Sequence, residues 1–334
     1  MTDVTPHLRD GRGREVSYLR LSVTDRCNLS CLYCRPRHSF TFIPHDKILR
    51  YEEMLSLVGL ARELGIGKLR LTGGEPFARR GLMDFIAALL DRYPGLDLRL
   101  TTNATLLAGK PAALAALGVS AVNISLDTLD RKKYADITGL DRFDAVRQAI
   151  DESLEAGLRV KLNAVALRGV NTDEIGDFVA LAKAYPLDVR FIEFMPVGGG
   201  TLWKKENYIA AKEVLELAER TAQLTPIPHE HTTGGPARMY SIDGGVGRFG
   251  VISPLSDHFC ATCNRLRITS DGKLRTCLFS EREYRLRQLL RNPKLGLPMV
   301  RRVIALALRN KPLGYEVLNP GGTKKARKMS AIGG

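Results

Sequence analysis

Long uncharged runs are absent from this sequence of 334 residues. Crossing a bilayer takes about 20 consecutive apolar residues, and no segment approaches that length. The opening MTDVTPHLRDGRGREVSYLR is charged and has no apolar stretch of the secretory type. We therefore expect a soluble, cytoplasmic protein with no membrane partner. Because 44% of the residues are hydrophobic, the chain has enough apolar side chains to bury a large core.

Histidines and aromatic residues are also scarce. The histidines form no acid–base constellation and lie scattered at His7, His38, His45, His229, His231 and His258. The chain shows neither the Ser-His-Asp order of a hydrolase nor a Walker phosphate loop. Aromatic residues make up 7%, and no basic patch is interleaved with stacking rings as in proteins that bind single strands. These absences argue against a Ser-His-Asp hydrolase, a protein with a Walker phosphate loop and a protein that binds single-stranded nucleic acid.

Charge is plentiful and unbalanced. The chain has 50 Lys and Arg against 36 Asp and Glu, a formal net charge of +14. Such an excess favours an anionic partner. Charge alone does not distinguish nucleic acid, a nucleotide and another phosphate-bearing ligand. A basic zinc protein that binds nucleic acid is therefore one alternative to an enzyme, supported by the segment GGTKKARK.

The six cysteines fall into two triplets. Grouped thiols in a reducing cytosol favour metal ligation over disulfides. The first triplet, CNLSCLYC, has the spacing C-x₃-C-x₂-C, which is uncommon for zinc and leaves one iron of a four-iron cluster open to a small molecule. The second, C-x₂-C-x₁₃-C, has His258 two residues before it, so its spacing fits a Cys₃His zinc site as well as a cluster.

Strand-like and helix-period segments alternate through the first part of the chain. Strands are predicted at residues 16–23, 68–72, 96–102, 120–126, 159–167 and 187–194. Amphipathic helices are predicted between most of them, at 51–65, 81–93, 110–118, 144–157 and 172–185. Successive βα units imply an α/β fold with a parallel sheet, either doubly wound or a partial barrel.

Polar residues follow several of these strands, in segments 24–26, 73–76, 102–103, 125–127 and 195–196. Carboxyl ends of parallel strands meet at one edge of a sheet, where α/β proteins place their sites. These segments, together with the first cysteine triplet, therefore predict one shared mouth. Gly, Asn and Asp also commonly end strands without any further role.

The alternation of strand-like and helix-period segments ends near residue 197. This predicts a first domain at 1–196 and a smaller C-terminal region at 197–334. The C-terminal region is predicted to have helices near 204–222 and 299–310, and a β-like segment at 247–279 with a hairpin turn at Asp271-Gly272. The tail from 319 onward resembles an ordinary solvated tail.

Two motifs resemble those of the radical SAM superfamily. In that superfamily the C-x₃-C-x₂-C loop holds a [4Fe–4S] cluster with S-adenosylmethionine on the open iron. TGGEP, at 72–76, resembles the motif that contacts the methionyl amino group. The resemblance implies a partial (β/α)₆ barrel of the radical SAM type, followed by a C-terminal region with a second Fe–S cluster.

A longer set of segments resembles the GTP 3′,8-cyclase family of molybdenum-cofactor biosynthesis: LRLSVTDRCNLSCLYC, VNISLD, RFIEFMP, CATCNRLR, SDGKLRTCLF and the terminal IGG. The likeness covers about residues 15–334. It implies conversion of GTP to (8S)-3′,8-cyclo-7,8-dihydroguanosine 5′-triphosphate, with S-adenosylmethionine cleaved to methionine and 5′-deoxyadenosine. Arg35 is a departure, since the family usually has Met before Pro36.

The resemblance also implies residue roles. A first [4Fe–4S] cluster is assigned to Cys27, Cys31 and Cys34, and a second, facing the purine of GTP, to Cys260, Cys263 and Cys277. S-adenosylmethionine is assigned to Tyr33, Gly74, Ser125 and Met195. GTP is assigned to Arg20, Arg70, Thr101, Lys161, Arg265, Leu266 and Arg267. Catalysis is assigned to Arg265, Arg267, Gly333 and Gly334, so the tail is expected to reach the active site.

The partners implied are GTP, an electron donor such as flavodoxin or ferredoxin, and transiently the downstream cyclic pyranopterin monophosphate synthase. No nucleic acid is expected, and a homodimer is left open. A radical SAM enzyme that modifies a peptide or protein is the alternative enzyme, although such relatives often carry more C-terminal cysteines than the three found here.

Overall fold

The computed structural model describes residues 8–34, 41–197, 204–228 and 235–318. The expectations for Arg35, Gly333 and Gly334 fall outside these ranges. Within them, no helix is both long and apolar enough to cross a membrane.

The six strands predicted for the first part of the chain are confirmed, each within two residues at either end. They are β1 (Tyr18–Ser22), β2 (Lys68–Thr72), β3 (Asp97–Thr102), β4 (Ala121–Ser125), β5 (Arg159–Ala166) and β6 (Asp188–Glu193). Alternation of apolar and polar side chains at period two explains why these segments were recognisable as strands.

Helices connect these strands: α1 (Tyr51–Glu63), α2 (Leu82–Arg92), α3 (Pro111–Leu117), α4 (Arg131–Thr138), α5 (Phe143–Glu155) and α6 (Ile175–Ala184). All were predicted except α4. Its local signals are present in the sequence, because Asp130 caps the first turn by accepting from Lys133 N at 2.7 Å, and Gly139 ends the helix at a φ of 84°. The short, polar helix between these residues has too weak an apolar pattern to stand out by periodicity.

The C-terminal region adds α7 (Ala211–Glu219), α8 (Leu286–Leu290), α9 (Gly296–Arg309) and α10 (Gly314–Val317). Its strands are β7 (Leu224–Pro226), β8 (Arg238–Ile242), β9 (Arg248–Ile252), β10 (Arg265–Ile268), β11 (Lys273–Arg275) and β12 (Tyr284–Arg285). The hairpin predicted at Asp271-Gly272 is confirmed: β10 and β11 pair antiparallel, and Gly272 has a φ of 75°. The strands β7, β8 and β12 and the helices α8 and α10 were not predicted.

All twelve described strands form one sheet, in the order β12-β11-β10-β1-β2-β3-β4-β5-β6-β9-β8-β7. Strands β1 to β6 are parallel, and β10 and β9 extend them in parallel beside β1 and β6 respectively. The C-terminal region therefore supplies strands to both edges of the first sheet. The boundary predicted after residue 196 does not interrupt this sheet, and the two-domain division stays a prediction.

The two faces of the sheet differ in chemistry. Side chains at alternate positions, including Leu19, Leu69, Val122 and Leu162, are buried in the hydrophobic core on the helix-covered side. The intervening positions carry polar and charged side chains that line a single cavity, to which each of β1 to β6 contributes. The sheet therefore curves around this cavity as a partial (β/α)₆ barrel, which confirms the expected fold class.

Candidate functional site

The cavity enclosed by the curved sheet has a volume of about 620 Å³, within the range of small-molecule sites. All six cysteines line it. With the exception of Leu266, the residues predicted to contact S-adenosylmethionine and GTP line it as well. They are Tyr33, Gly74, Ser125, Met195, Arg20, Arg70, Thr101, Lys161, Arg265 and Arg267. The fold thus brings these side chains together, and their individual roles stay predictions.

Leu266 is the exception. Its side chain is 2% exposed and packs in the hydrophobic core, because it lies between Arg265 and Arg267 on the opposite face of β10. Only its backbone groups are therefore candidates for contact with a ligand.

The first cysteine triplet follows β1 at the carboxyl end of the sheet. Cys27 Sγ accepts hydrogen bonds from Leu29 N at 3.4 Å and from Asn103 Nδ2 at 3.6 Å. The loop is further anchored on α4, since Ser30 N and Leu32 N donate to the carbonyls of Thr138 and Ile137. The helix that sequence analysis missed therefore supports the loop of the first triplet.

The glycine pair after β2 packs directly against the segment that leads to this triplet. A Cβ on Gly74 would lie 2.2 Å from Arg26 O, and one on Gly73 would lie 2.5 Å from Thr24 O. Only glycine fits where two backbones approach this closely. The TGGEP motif thus has a packing reason for its glycines that is independent of any ligand.

Glu75, the acidic residue of that motif, ties the loops after β2 and β3 together. Its carboxylate accepts hydrogen bonds from Phe77 N, Thr102 Oγ1 and Asn103 N at 3.0, 2.8 and 2.7 Å. Burial raises the pKa of Glu75 to about 7, although these hydrogen bonds favour the ionised form.

Tyr33, which was assigned to S-adenosylmethionine, is positioned by a hydrogen bond to Asp127. Its hydroxyl donates to Asp127 Oδ2 at 2.7 Å, while Asp127 Oδ1 accepts from Val165 N at 2.8 Å. Burial raises the pKa of Asp127 to about 6. Asp127 therefore links the loop of the first triplet to strand β5.

The second cysteine triplet faces the same cavity from the C-terminal region. A Cβ on Gly314 would lie 3.2 Å from Cys260 Sγ and 3.3 Å from Cys277 Sγ, so the start of α10 closes over both sulfurs. Burial disfavours the thiolate of Cys263, but the positive charges of Arg265 and Lys311 outweigh it and lower the pKa of Cys263 to about 6. A thiol that ionises readily is suited to bind metal.

His258, the fourth ligand of the zinc alternative, has other contacts. In the ranges described, no three His, Cys, Asp or Glu side chains converge closely enough to hold a single metal ion. His258 Nδ1 instead lies 2.7 Å from Pro254 O, and its ring stacks on Tyr315 at a centroid distance of 5.2 Å. A four-iron cluster bonds each thiolate to a different iron, so it accommodates sulfurs that stand further apart.

The surroundings of Cys31 in the first triplet oppose ionisation of its thiol. Burial raises the pKa of Cys31, and the negative charges of Cys34, Asp127 and Cys27 raise it further. Bound iron relieves such repulsion between neighbouring thiolates, since a metal cation favours the deprotonated ligand. Three closely spaced thiols that line the cavity thus fit a four-iron cluster at the first triplet.

A row of arginines crosses the inner face of the sheet below the cysteines. Strand register places Arg20 beside Arg267 on one side and beside Arg70 on the other, and Arg70 beside Arg99. Adjacent strands are about 4.8 Å apart, so these guanidinium groups crowd together. Burial and the nearby charge of Arg267 lower the pKa of Arg20. An anionic ligand is the natural counter-charge for such a row.

Lys161 and Arg190 continue the positive charge onto β5 and β6. Lys161 Nζ is 3.8 Å from Asp188 Oδ2, a carboxylate that also binds Arg248 Nε at 2.7 Å and Arg159 Nη2 at 3.4 Å. One carboxylate is thus shared among three cations. Burial lowers the pKa of Lys161 to about 6, with the like charges of Arg190 and Arg159 adding to the effect.

Sequence reasoning missed several cations that the fold places in the same cavity: Lys68, Arg99, Arg159, Arg190 and Arg248. Their signal was available, because each alternates with apolar residues inside a predicted strand, as in KLRLT, DLRLTT, RVKLNAVA and DVRFIE. A strand whose apolar face packs under helices must direct such cations to the other face.

Two family models match nearly consecutive parts of the chain. The model of the Radical SAM superfamily matches residues 21–182, and the model of Molybdenum Cofactor Synthesis C matches residues 187–317.

Curated relatives match the full length. Proteins named GTP 3′,8-cyclase from Syntrophomonas wolfei and Thermodesulfovibrio yellowstonii are 43% and 42% identical over 327 and 331 residues. The alignments cover 97% and 98% of this chain and 99% and 100% of the relatives. A protein of the same name from Listeria monocytogenes is 39% identical over 98% of the chain and 99% of its own length.

The fold is similar to that of Streptococcus suis SuiB. Its crystal structure bound to S-adenosylmethionine has a TM-score of 0.59 and 16% sequence identity, and covers 94% of this chain and 76% of that one. The structure of SuiB bound to the precursor peptide SuiA gives a TM-score of 0.60. At this identity the likeness concerns the fold.

The full-length identity near 40% agrees with the two cysteine triplets, the TGGEP loop and the cation-lined cavity. The chain belongs to the GTP 3′,8-cyclase family of radical SAM enzymes.

Proposed function

We propose that this protein converts GTP to (8S)-3′,8-cyclo-7,8-dihydroguanosine 5′-triphosphate in molybdenum-cofactor biosynthesis, and cleaves S-adenosylmethionine to methionine and 5′-deoxyadenosine. The observation that carries the proposal is the shared cavity, in which two cysteine triplets face a lining rich in buried cations. A radical enzyme that acts on a triphosphate needs both features in one enclosure.

The cations are suited to the triphosphate. GTP carries close to four negative charges, and guanidinium groups bind phosphate through two parallel N–H···O bonds. Arg20, Arg70 and Arg267 lie side by side on adjacent strands, so one extended phosphate chain can meet several of them. Lys161 adds a compact charge on β5.

Cys27, Cys31 and Cys34 would hold the first [4Fe–4S] cluster with S-adenosylmethionine, and Cys260, Cys263 and Cys277 a second one. When bound there and reduced by one electron, that cluster with S-adenosylmethionine would supply a 5′-deoxyadenosyl radical able to remove the hydrogen at C3′ of GTP. Tyr33, Gly74, Ser125 and Met195 line the end of the cavity near the first triplet and are our proposed contacts for S-adenosylmethionine.

The protein's own contribution is binding, orientation and exclusion of other hydrogen donors. Residues from β1 to β6, β9 and β10 line the cavity, so the sheet shields a radical formed inside it from solvent on that side. Arg265 and Arg267 share one face of β10 directly after the loop that holds Cys263, which suits them to orient the nucleotide beside the second triplet. Gly333 and Gly334 are proposed to complete the site from the tail.

A peptide substrate is less well matched to this cavity. Most of the charged groups that line it are cations, and Asp127, Asp188 and Glu193 already bind partners within the chain. A polyanion of nucleotide size fits this balance better than a neutral peptide does.

The decisive experiment uses GTP labelled with deuterium at C3′. Anaerobic protein with reconstituted clusters, a reductant and S-adenosylmethionine is expected to give 5′-deoxyadenosine that carries the deuterium, detected by mass spectrometry. Formation of unlabelled 5′-deoxyadenosine would support the radical chemistry but contradict abstraction of hydrogen from C3′ of GTP. Absence of 5′-deoxyadenosine from iron-loaded protein would contradict the enzymatic proposal itself.

Affinity for GTP should depend on pH through Lys161. In the free protein its pKa is about 6, so it is mostly neutral at pH 8, whereas a bound phosphate favours the ammonium and raises that pKa. Binding therefore takes up a proton, and the dissociation constant is expected to rise with pH above 6, by at most about tenfold per pH unit. Equilibrium dialysis with labelled GTP measures the effect.

The comparison with K161M isolates this group from other titrating residues. K161M should bind GTP more weakly and should lose the part of the pH dependence that belongs to Lys161, while K161R keeps its charge across the range. An identical pH profile in the parent protein and K161M would exclude Lys161 as the titrating group.

Several wider features also belong to this proposal. They are a cytoplasmic location, reduction by a flavodoxin-like or ferredoxin-like donor, transient transfer of product to cyclic pyranopterin monophosphate synthase, and a homodimer as one oligomeric arrangement. The basic net charge of +14 would favour an acidic electron donor.

A further inference from the structure

Two buried cations from opposite ends of the chain hold the backbone of the second cysteine triplet. Lys311 Nζ donates to Cys263 O at 2.7 Å and to Arg265 O at 3.0 Å. Arg14 Nη1 donates to Cys260 O at 2.6 Å, although the two residues are 246 positions apart. Lys311 is 3% exposed and Arg14 is 9% exposed.

The two cations are also joined to each other. Arg14 Nη2 donates to Lys311 O at 3.1 Å, and Arg14 Nε pairs with Asp10 Oδ2 at 2.6 Å. The side chain of Asp10 is fully buried. Nearby, Gly11 N donates to Leu308 O at 3.1 Å, and a Cβ on Gly11 would lie 2.3 Å from Arg309 O. The N-terminal segment and the end of α9 are thus closely packed around this network.

Such a network is costly to build for packing alone. Burying an ammonium group has a penalty of several kcal/mol unless charge or hydrogen bonds offset it. The two hydrogen-bond acceptors of Lys311 are neutral carbonyls in the segment that carries Cys263. Both hydrogen bonds of this buried ammonium group therefore bind the backbone of the second triplet.

We propose that Lys311 and Arg14 are positioning residues of the second cysteine triplet, which hold the carbonyls of Cys260 and Cys263 so that the three sulfurs face the cavity in one arrangement. Lys311 also fixes the carbonyl of Arg265, one of the cations that line the cavity. The same ammonium group therefore couples the cluster loop to a proposed GTP contact. The inference rests on the proposed second cluster but not on the identity of the substrate.

The test uses the full chain, with K311M as the main variant. Hydrogen exchange in the metal-free protein is expected to be about tenfold faster in peptides that cover residues 260–265, because two hydrogen bonds to this segment are lost. After anaerobic reconstitution with iron and sulfide, iron per chain is expected to fall by about half, since the first triplet still assembles its cluster. Iron retained at the first triplet would also show that the variant is folded.

K311R and R14K distinguish positioning from a simple loss of charge. K311R keeps two donors within reach and should restore most of the iron and of the exchange protection. R14K keeps the charge but cannot bind Asp10, Cys260 and the carbonyl of Lys311 at once, so exchange should accelerate at both 260–265 and 308–312. K212M, whose lysine is 86% exposed on α7, is the matched control and should match the parent protein in both measurements.

Normal iron content and normal exchange in K311M, equal to those of K212M, would overturn the proposal. Neither measurement requires GTP, so failure of the substrate assignment leaves the test intact. A parent chain that binds iron at the first triplet only would remove the second cluster from the proposed function and overturn this inference with it.

Discussion

Replacing Cys260, Cys263 and Cys277 with alanine is expected to abolish cyclisation of GTP while 5′-deoxyadenosine still forms. Replacing Cys27, Cys31 and Cys34 is expected to abolish both products. The two triplets line the same cavity from different elements: the first follows β1, and the second lies before β10 and after β11. Only the first lies beside the TGGEP loop and Tyr33, the proposed S-adenosylmethionine contacts, so radical formation should depend on the first triplet alone.

Quantifying 5′-deoxyadenosine and the cyclised nucleotide in the same anaerobic reaction separates these outcomes. Iron analysis of each variant is the control, since each should retain the iron of its intact triplet. Loss of 5′-deoxyadenosine in the second-triplet variant, despite retained iron, would mean that the second triplet also takes part in radical formation. Normal cyclisation in that variant would contradict a second cluster with any role in the reaction.

Removal of the Arg190 guanidinium is expected to weaken GTP binding by about 2–4 kcal/mol, or roughly 30- to 1,000-fold. Arg190 is 6% exposed, and within the described part of the chain its Nε and Nη2 atoms have no hydrogen-bond partner. Burial lowers its pKa to about 9, so it remains charged at neutral pH. A buried donor pair without acceptors on a cavity wall is suited to bind a phosphate.

R190M tests this by equilibrium dialysis with labelled GTP, and R99M is the matched control. Arg99 lines the same cavity, but its Nε and Nη2 already bind both oxygens of Asp97 at 2.8 and 2.7 Å, so its loss should weaken GTP binding less. R190M should also raise the melting temperature of the free protein, because it removes a buried charge whose donors lack acceptors. Unchanged GTP affinity in R190M would exclude Arg190 from the binding site.

The positions of the strands could be predicted because each contains its own alternation of apolar and polar side chains. Leu19 and Leu21 in β1, like Leu69 and Leu71 in β2, are buried under helices whatever the partner strands are. The same local reasoning missed α4, whose capping signals were present but whose apolar pattern is weak. It also missed β8, because Arg238–Ile242 is recognisable as a strand only through its antiparallel pairing with β9.

The arginines on the cavity wall show what local reasoning cannot predict, which is how separate strands pair. That Arg265 and Arg267 share a face follows from their alternate positions within a single strand. That Arg267 stands beside Arg20, and Arg20 beside Arg70, depends on β10 pairing with β1 across most of the chain. The sheet register, which no local pattern specifies, brings arginines from separate strands together on one wall of the cavity.

By itself, the sequence determined the donor chemistry of the two cysteine triplets, the order of the βα units and the resemblance to one enzyme family. These depend on spacing, composition and local periodicity, which are written directly in the chain. Only the tertiary structure decided that both triplets share a cavity, and that Lys311 and Arg14 bind the backbone of the second triplet. It also decided that Arg190 reaches this cavity with two donors that have no partner among the described residues. Those relations join residues far apart in sequence, because a curved sheet and its added edge strands bring them together.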